Sequence, residues 1–535
     1  MPNTFKKVLD RQMWVQVAAS PNAHAAAMSM AGDLRNDTSR NPFIYTLHNN
    51  ALLNRYNIVT KAWQVVSTAP LTAGTFGAGS TSAFAPSFGA VGTIAAGATT
   101  TSVTLTTALP AAVGLNMLAN RGGSGELGFK LRIIDTTAGK TEERWIVGNT
   151  AGTTPTIRLE AALTFTPATG ARYELLCGRL FMLGAGTVAA GVFRTFEPAS
   201  NTLASRGTTN LPATISTDSA MLVLDELYVP WDHHPGEGMV KGATTYDTGL
   251  VALLATASAA ATITGQATGG DAVVAANEYR NFQIRIVADP TTPASVGQRR
   301  IVASHTAGPS AVYTLGANWT TAPSASARFV IEQPNLIVLR TSGVATTYTY
   351  NYTDGTVNNG TNNIAADAWS TTYFAAGPAA NAVGNCWAPS FGIQPDPARY
   401  ARHSFNYFFR GGAVTLDALD IANTITGTWT GAVAYDGNVN AFGAGTTGCY
   451  SPFGQEGRFT YVNVYVANAV NQIYRFDARN RVFSPYVPTD FIQSGTAALG
   501  GRTAAYAAID GTDTYDVLLL QSHLSTVSQE LVVLV

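Results

Sequence analysis

"IYRFDARNRVF", residues 473–483, sets an aromatic at Phe476, a carboxylate at Asp477, a turn former at Asn480 and a second aromatic at Phe483. "NRYNIVTKAW", residues 54–63, places Tyr56, Asn57, Thr60 and Trp63 at the same offsets near the other end of the chain. The pattern returns at Phe196, Glu197, Ser200 and Leu203, and at Tyr350, Asn351, Asp354 and Val357. A weaker copy is Leu419, Asp420 and Asn423, with Thr426 in the closing apolar position and Trp429 three residues beyond. The chemistry of one such unit is local. An Asx or Glu side chain at a strand end folds back onto nearby backbone N–H groups, and a small hydroxyl or amide three residues on starts the return. The last apolar residue then opens the next strand.

Each copy is preceded by an apolar run and a polar or Gly-rich turn, so the whole phrase reads as a β-hairpin. The phrases are "FIYTLHNNALLNRYN", "RLFMLGAGTVAAGVFRTFE", "NLIVLRTSGVATTYTYN", "SFNYFFRGGAVTLDALD" and "RFTYVNVYVANAVNQIYRFD". A sixth, "YDVLLLQSHLSTVSQELVVLV", closes the sequence. Repeated hairpins embedded in Gly- and Thr-rich sequence predict an all-β chain built as a β-propeller of about six blades. In a closed ring the first and last blades adjoin, so the two chain ends are expected to meet.

The intervals before Phe196 and before Tyr350 are much longer than the others, and a second repeat fills them. "LRIIDTTAGK…ARYEL" (131–175) aligns with "IRIVADPTTP…ARFVI" (284–331). Arg132 matches Arg285, Ile146 matches Ile301, Thr150-Ala151-Gly152 matches Thr306-Ala307-Gly308, Pro167 matches Pro323, and Ala171-Arg172-Tyr173 matches Ala327-Arg328-Phe329. Alternating apolar positions and turn residues predict two small β-sandwich or barrel-like modules inserted into loops of the ring. The expected organisation is an N-terminal arm over 1–42, propeller blades over 43–90, the first module over 91–178, blades over 179–257, the second module over 258–333, and blades with ring closure over 334–535. Within the arm, "NAHAAAMSMAGDLRN" (22–36) is Ala-rich and helix-like.

Composition narrows function. Charged residues are 12% of 535, about half the usual share, with 32 Lys+Arg against 33 Asp+Glu. Phosphate recognition needs clustered cations, so direct DNA readout is not expected. No run of about 20 apolar residues predicts a membrane span, and the first residues lack a signal-peptide pattern. Cys177, Cys386 and Cys449 form no CxxC pair, which argues against a zinc knuckle; a Cys386–Cys449 bridge stays open.

The densest polar cluster is "DELYVPWDHHPGEGMV" (225–240), holding Asp225, Glu226, Asp232, His233, His234 and Glu237. His233, His234 and Glu237 have metal-ligand chemistry if the Pro235-Gly236 turn converges them. The plainer reading is a solvated loop capping a blade, and no metal or cofactor is expected. "QPDPARYARH" (394–403) fixes Asp396 between two prolines beside Arg399, Arg402 and His403, yet a lone acid does not make a glycosidase. "GGSGELG" (122–128) lacks the Lys-Ser/Thr of a phosphate loop. No Ser nucleophile elbow is found. No catalytic residue is assigned, and the chain is not expected to be an enzyme. Among the tryptophans, Trp231, Trp319 and Trp387 lie outside the repeat and are the candidates for stacking on a sugar ring.

The hairpin phrase with "RYNIVTKAW" and "YRFDARNRVF" resembles the kelch-like propeller blade, whose strands carry an aromatic-Asp-x-x-Thr-x-x-Trp pattern. It departs in lacking the regular double glycine, since Gly411-Gly412 and Gly500-Gly501 fall out of register. The insert phrase "GQRRIVASHTAG…NWTTAPSASARF" resembles a module common in structural proteins of tailed bacteriophages. That resemblance implies a virion component of tail or neck, assembled in the host cytoplasm. The expected role is a nozzle-type ring subunit in the DNA-ejection conduit, contacting copies of itself and other tail or connector proteins while DNA passes. Two alternatives stand beside it: a tail or decoration protein binding a host receptor or surface glycan, and a polysaccharide hydrolase, which needs two carboxylates about 5–10 Å apart.

Overall fold

Apolar alternation in "FIYTLH" and "LLNRYN" makes Phe43–His48 and Leu52–Asn57 antiparallel partners, in register from Phe43 opposite Asn57 to His48 opposite Leu52. The computed structural model describes residues 14–22, 30–32, 43–48, 52–57, 60–67, 76, 79–87, 89–109, 115–116, 118, 129–189, 191–217, 219–226, 253–265, 275–308, 310–389, 405–412, 415–437, 447–450, 459–466, 470–478, 480–485, 502–510, 513–521 and 528–534. Among these, six antiparallel four-stranded sheets form the blades. From the inner strand outward, blade 1 is Met30–Gly32, Phe43–His48, Leu52–Asn57 and Ala62–Ser67. Blade 2 is Thr81–Ala85, Arg179–Leu183, Phe193–Glu197 and Thr202–Ser205; blade 3 is Ala220–Leu224, Leu336–Arg340, Tyr348–Asn351 and Ala368–Ser370. Blade 4 is Ala382–Pro389, Phe405–Gly411, Thr415–Asp420 and Thr428–Thr430; blade 5 is Thr447–Tyr450, Phe459–Val466, Val470–Asp477 and Val482–Pro485. Blade 6 is Arg502–Asp510, Asp513–Gln521, Ser528–Leu534 and, from the other end of the chain, Trp14–Val17.

The inner strands pack in cyclic order, blade 1 against 2 and onward until blade 6 meets blade 1. The protein is a six-bladed β-propeller, and its two chain ends share one sheet through the pairs Trp14 with Leu531 and Val17 with Ser528. All six hairpin phrases are hairpins, forming the second and third strands of each blade. The repeat residues do the same job in different blades. Tyr56 faces Trp63, Phe196 faces Leu203, Leu419 faces Trp429 and Phe476 faces Phe483 across the outer strand pair. Turn-closing bonds run from Thr60 N to Asn57 Oδ1 at 3.0 Å and from Asn480 N to Asp477 Oδ1 at 3.2 Å. Buried rings join neighbouring blades: Phe193 of blade 2 stands edge-on to Tyr350 of blade 3 at 4.9 Å and 90°.

Three expectations are corrected. In blade 3 the partner of Tyr350 is Trp369, not Val357, because Val357–Asn358 and Asn363–Ile364 form a small hairpin inserted before the outer strand. The described residues of 1–42 belong to the ring rather than to an arm: Trp14–Val17 completes blade 6, and Met30–Gly32 is the inner strand of blade 1, so the helix-like reading fails at its described centre. Tertiary pairing overrides the local alanine preference there. The second insert begins before 258, since Leu253–Ala259 pairs with Thr262–Gly265 and Arg328–Glu332.

Both inserts leave after the inner strand of a blade, the first from blade 2 and the second from blade 3, and return at that blade's second strand. The first comprises Val91–Thr93, Ser102–Thr104, Lys130–Asp135, Lys140–Asn149, Thr156–Leu159 and Arg172–Leu176. Its pairings close into a six-stranded barrel, the last seam being the Ile94–Leu105 bridge. The second, Leu253–Ala259, Thr262–Gly265, Gln283–Ala288, Arg299–His305, Val312–Leu315 and Arg328–Glu332, closes in the same strand order. Lys140 pairs with Ala288, which fuses the two barrels into one twelve-stranded sheet. The seam is close-packed. A Cβ on Gly297, already at φ +83°, would lie 2.5 Å from Ile134 Cγ2 of the other barrel, and one on Gly139 would lie 2.4 Å from the Asp289 carbonyl.

Deleting residues 1–20 removes the outer strand of blade 6 and leaves Ser528–Leu534 as an open edge. With each ladder bond worth about 1 kcal/mol net, the ring is expected to lose several kcal/mol. Hydrogen exchange read by mass spectrometry is expected to lose protection over 513–534 first, with barrel peptides unchanged; uniform protection in both regions contradicts closure by this strand.

Candidate functional site

Where the inserts leave and rejoin the ring, a group of charged side chains is largely buried, with Arg299 at its edge. Asp225 and Glu226 follow the inner strand of blade 3 and are fully buried. Asp225 accepts from Ser87 N at 3.2 Å, Ser87 Oγ at 2.7 Å and Tyr352 Oη at 2.7 Å. Ser87 follows the inner strand of blade 2, so this carboxylate ties together the two points of departure. Glu226 turns the other way, into the barrels.

Glu226 accepts from Arg132 Nη1, from Arg299 Nε at 3.1 Å, from Gln283 Nε2 at 3.2 Å and from Asn335 Nδ2 at 3.0 Å. Its own N–H donates to Asn335 Oδ1 at 3.0 Å. Arg132, in the first barrel, also bonds Glu143 and Glu174 at 2.7 and 2.9 Å. Arg299, in the second barrel, forks onto Glu174 with Nη1–Oε1 at 3.0 Å and Nη2–Oε2 at 2.9 Å. Arg285 pairs with Glu332. The repeat explains how this arose. The residue opposite Arg132 is Glu143, while the residue opposite Arg285 at the equivalent place is Arg299. The two copies carry opposite charges at one position, and Arg299 therefore reaches across to the acids of its neighbour.

Burial alone would raise the Glu174 pKa, but Arg299 and Arg132 overcome it and hold the carboxyl down at about 2. Burial opposes ionisation of Glu226 too, and Arg132, Arg299 and Arg285 together keep it well below the usual carboxylate range. Glu332 moves the other way, because burial outweighs its pairing with Arg285.

Beside this cluster a cavity of about 370 Å³ opens between the barrels and blade 3. Arg172 of the first barrel, Gln283, Arg299 and Arg300 of the second, and Asp354 and Asn358 of the blade 3 loop line it. Arg172 Nη2 meets Asp354 Oδ2 at 2.7 Å, with side chains 40% and 52% exposed. Arg300 gives Nε to the Asn318 carbonyl at 2.7 Å, Nη1 to the Arg299 carbonyl at 2.7 Å and Nη2 to Thr320 Oγ1 at 3.1 Å, and lies 5.5 Å from the Trp319 ring centroid.

The metal candidates His233, His234 and Glu237, with Asp232, lie outside the described residues, as do Asp396 and Trp231. Among the described residues no group of three His, Cys, Asp or Glu is placed to hold a metal. Trp319 and Trp387 are buried at 5% and 6% exposure, which makes them core rather than sugar platforms; Trp387 Nε1 donates to the Ala220 carbonyl at 3.1 Å. The Cys449 side chain is also outside the described set. Of the polar cluster at 225–240, the two residues that the structure assigns a role, Asp225 and Glu226, are those that precede the histidines. Sequence comparison matched Arg132 to Arg285 without revealing their buried partners. The signal was present in "KLRIID" and "QIRIVA", where an arginine stands between apolar residues within a strand.

No protein-family model and no curated protein matches the chain. Among solved structures, Sqt1 of Saccharomyces cerevisiae is 9% identical over 98% of this chain and 99% of its own, with a TM-score of 0.30. A mutant NanB sialidase of Streptococcus pneumoniae is 9% identical over 95% and 82%, with a TM-score of 0.24. The tricorn protease is 10% identical over 94% and 44%, with a TM-score of 0.14. The propeller assignment rests on the strand pairings and cyclic blade order.

Proposed function

We propose that the chain is a structural subunit of a tailed-bacteriophage particle, a tail or nozzle ring component that forms part of the DNA-ejection conduit and contacts neighbouring virion proteins. One observation carries the mechanical part of this reading. The barrel pair is keyed into the ring through Glu226, which bonds one arginine from each barrel. A bracket fixed in this way transmits load between the ring and whatever the barrels touch. The insert phrase with "RRI" and "NWTTAP" supplies the virion part through its resemblance to modules of phage structural proteins. The near balance of 32 cations and 33 anions suits a wall past which DNA slides, since passage calls for weak phosphate binding.

Particle imaging tests the assignment. The full-length chain is expected as repeated density around the tail axis, each copy showing one propeller and a paired-barrel projection. Its absence from purified particles, or density confined to a site away from the tail and neck, overturns the proposal.

A further inference from the structure

The turn at 275–282, which leads into the second barrel's strand Gln283–Ala288, fastens that barrel to blade 4. Arg280 Nη1 donates to the Ala422 carbonyl at 3.3 Å and to the Asn423 carbonyl. The buried Asn281 gives Nδ2 to the Ile421, Thr424 and Ile425 carbonyls at 2.6, 3.3 and 3.1 Å. His305, at the end of Arg299–His305 and 4% exposed, holds this turn to its own barrel. Tyr279 N–H donates to His305 Nε2 at 2.8 Å, and His305 Nδ1 lies 2.9 Å from the Thr306 carbonyl. A carbonyl only accepts, so Nδ1 carries the hydrogen, Nε2 the lone pair, and the imidazole is neutral. A proton added at Nε2 turns that acceptor into a donor facing the Tyr279 N–H, and the bond is lost.

The first barrel builds the same latch from a residue that takes no proton. Asn149 stands where the second barrel has His305, directly before the matched Thr150-Ala151-Gly152 and Thr306-Ala307-Gly308. Asn149 Oδ1 accepts from Leu118 N at 2.9 Å, as His305 Nε2 accepts from Tyr279 N. The surrounding bonds correspond as well. Asn116 N donates to the Asn149 carbonyl at 2.8 Å and Asn277 N to the His305 carbonyl at 3.1 Å, while Asn149 N and His305 N return to Asn116 Oδ1 and Asn277 Oδ1 at 3.2 and 2.9 Å.

We propose that His305 is an acid-released latch: protonation at Nε2 frees the 275–282 turn and loosens the second barrel's hold on blade 4, while the first barrel, latched by Asn149, stays closed. The groups around the ring agree with this direction. Burial, joined by Arg280, lowers the His305 pKa against the opposing pull of the Thr306 carbonyl and Glu278. Tyr279 and Tyr313 flank the imidazole with centroids 5.8 and 5.0 Å away, and burial with Glu278 raises the Tyr313 pKa, so no phenolate stands beside the ring. From blade 4, Asp420 acts on Arg280. A closed-state pKa below the open one means that the latch contributes fully above about pH 6.5, the ordinary imidazole value, and is lost as pH falls below it. One coupled proton raises the open fraction by up to about tenfold per pH unit in that range. The device holds wherever the protein stands in a particle.

The test is hydrogen exchange of the full chain, read by mass spectrometry at about pH 7.5 and about pH 5.5 and corrected for the intrinsic change in exchange rate. Peptides covering 275–282 and 421–427 are expected to open several-fold to about tenfold more at the lower pH, while those holding Leu118 and Asn149 do not change. The first barrel is the internal control, because it shares the Glu226 junction with the second and acid loosening of that junction strikes both. His305→Asn and His305→Gln each supply an amide acceptor that takes no proton, and they are expected to keep the protection seen at the higher pH and to abolish its loss at the lower. If neither variant folds, the comparison of the two barrels within the unaltered chain decides. Unchanged protection at 275–282, an equal loss in both barrels, or a loss that persists in the folded variants each overturns the proposal.

Discussion

Glu226→Ala is expected to lower the free energy of the unfolding step that releases the barrels by about 3–5 kcal/mol, the loss typical when one member of a buried ion cluster is removed. The size follows from what is left behind. Arg132, fully buried, keeps Glu143 and Glu174, but Arg299 loses its Nε partner and Gln283 and Asn335 lose an acceptor. Denaturant unfolding followed by hydrogen exchange at 130–135 and 299–305 measures the effect. Asp354→Asn, at the exposed rim of the same region, is expected to change stability by less than about 1 kcal/mol. Similar losses for both variants would mean that burial does not set the strength of the junction.

The same cluster gives the acid limb of stability a defined position. Glu174 is held at about 2 and Glu226 well below the usual range, whereas in the unfolded chain a glutamate titrates near roughly 4.3. Carboxyls with depressed folded pKa values contribute fully above the unfolded value, and that contribution fades as pH falls towards about 2. Raised Glu332 has the opposite sign and partly offsets them at higher pH. Glu226→Ala should therefore flatten the decline of junction stability between about pH 4 and pH 2.

Why the ring was legible and the junction was not follows from range. Tyr56 and Trp63, or Phe476 and Phe483, are a turn apart, so the Asx-turn chemistry and the aromatic pair are written within one phrase. Arg132 and Glu226 are neighbours only because two barrels, rooted in successive blades, converge on one point. No local pattern encodes that meeting. Val357 misled for a related reason: it is apolar at the expected offset, yet the inserted hairpin postpones the return to Trp369. Trp14–Val17 was hidden by its four-residue length, too short for alternation to distinguish a strand, and its partner lies at the far end of the chain.

Arg340→Ala is the second large effect, and it probes the ring rather than its outgrowth. Arg340 ends the second strand of blade 3 and is fully buried. Its Nη1 donates to the Ala345 and Thr346 carbonyls, the latter at 3.1 Å, and its Nη2 donates to the Ala379 carbonyl at 3.0 Å and Asn381 Oδ1 at 3.2 Å. The guanidinium carbon lies 5.5 Å from the Phe408 ring centroid and 5.3 Å from that of Trp429, both in blade 4. Burial lowers its pKa to about 10 despite Asp417, which still leaves it charged at neutral pH. One side chain thus satisfies the turn that closes the blade 3 hairpin, the chain leading into blade 4, and two aromatic faces. Truncation to alanine leaves the buried Asn381 Oδ1 without this donor, a loss of about 1–3 kcal/mol. It also removes a donor from the half-buried Thr346 and Ala379 carbonyls together with the contacts to both rings, part of which is recovered by water entering the space. A net destabilisation of about 3–5 kcal/mol is expected. Arg340→Lys should recover only part of it, because a single ammonium cannot reproduce the planar fork between two rings. Exchange protection is expected to fall at 336–351 and 405–430 together, since the lost contacts span both blades. A loss confined to blade 3 would mean that the cation–π and carbonyl contacts to blade 4 contribute nothing to holding the two sheets together.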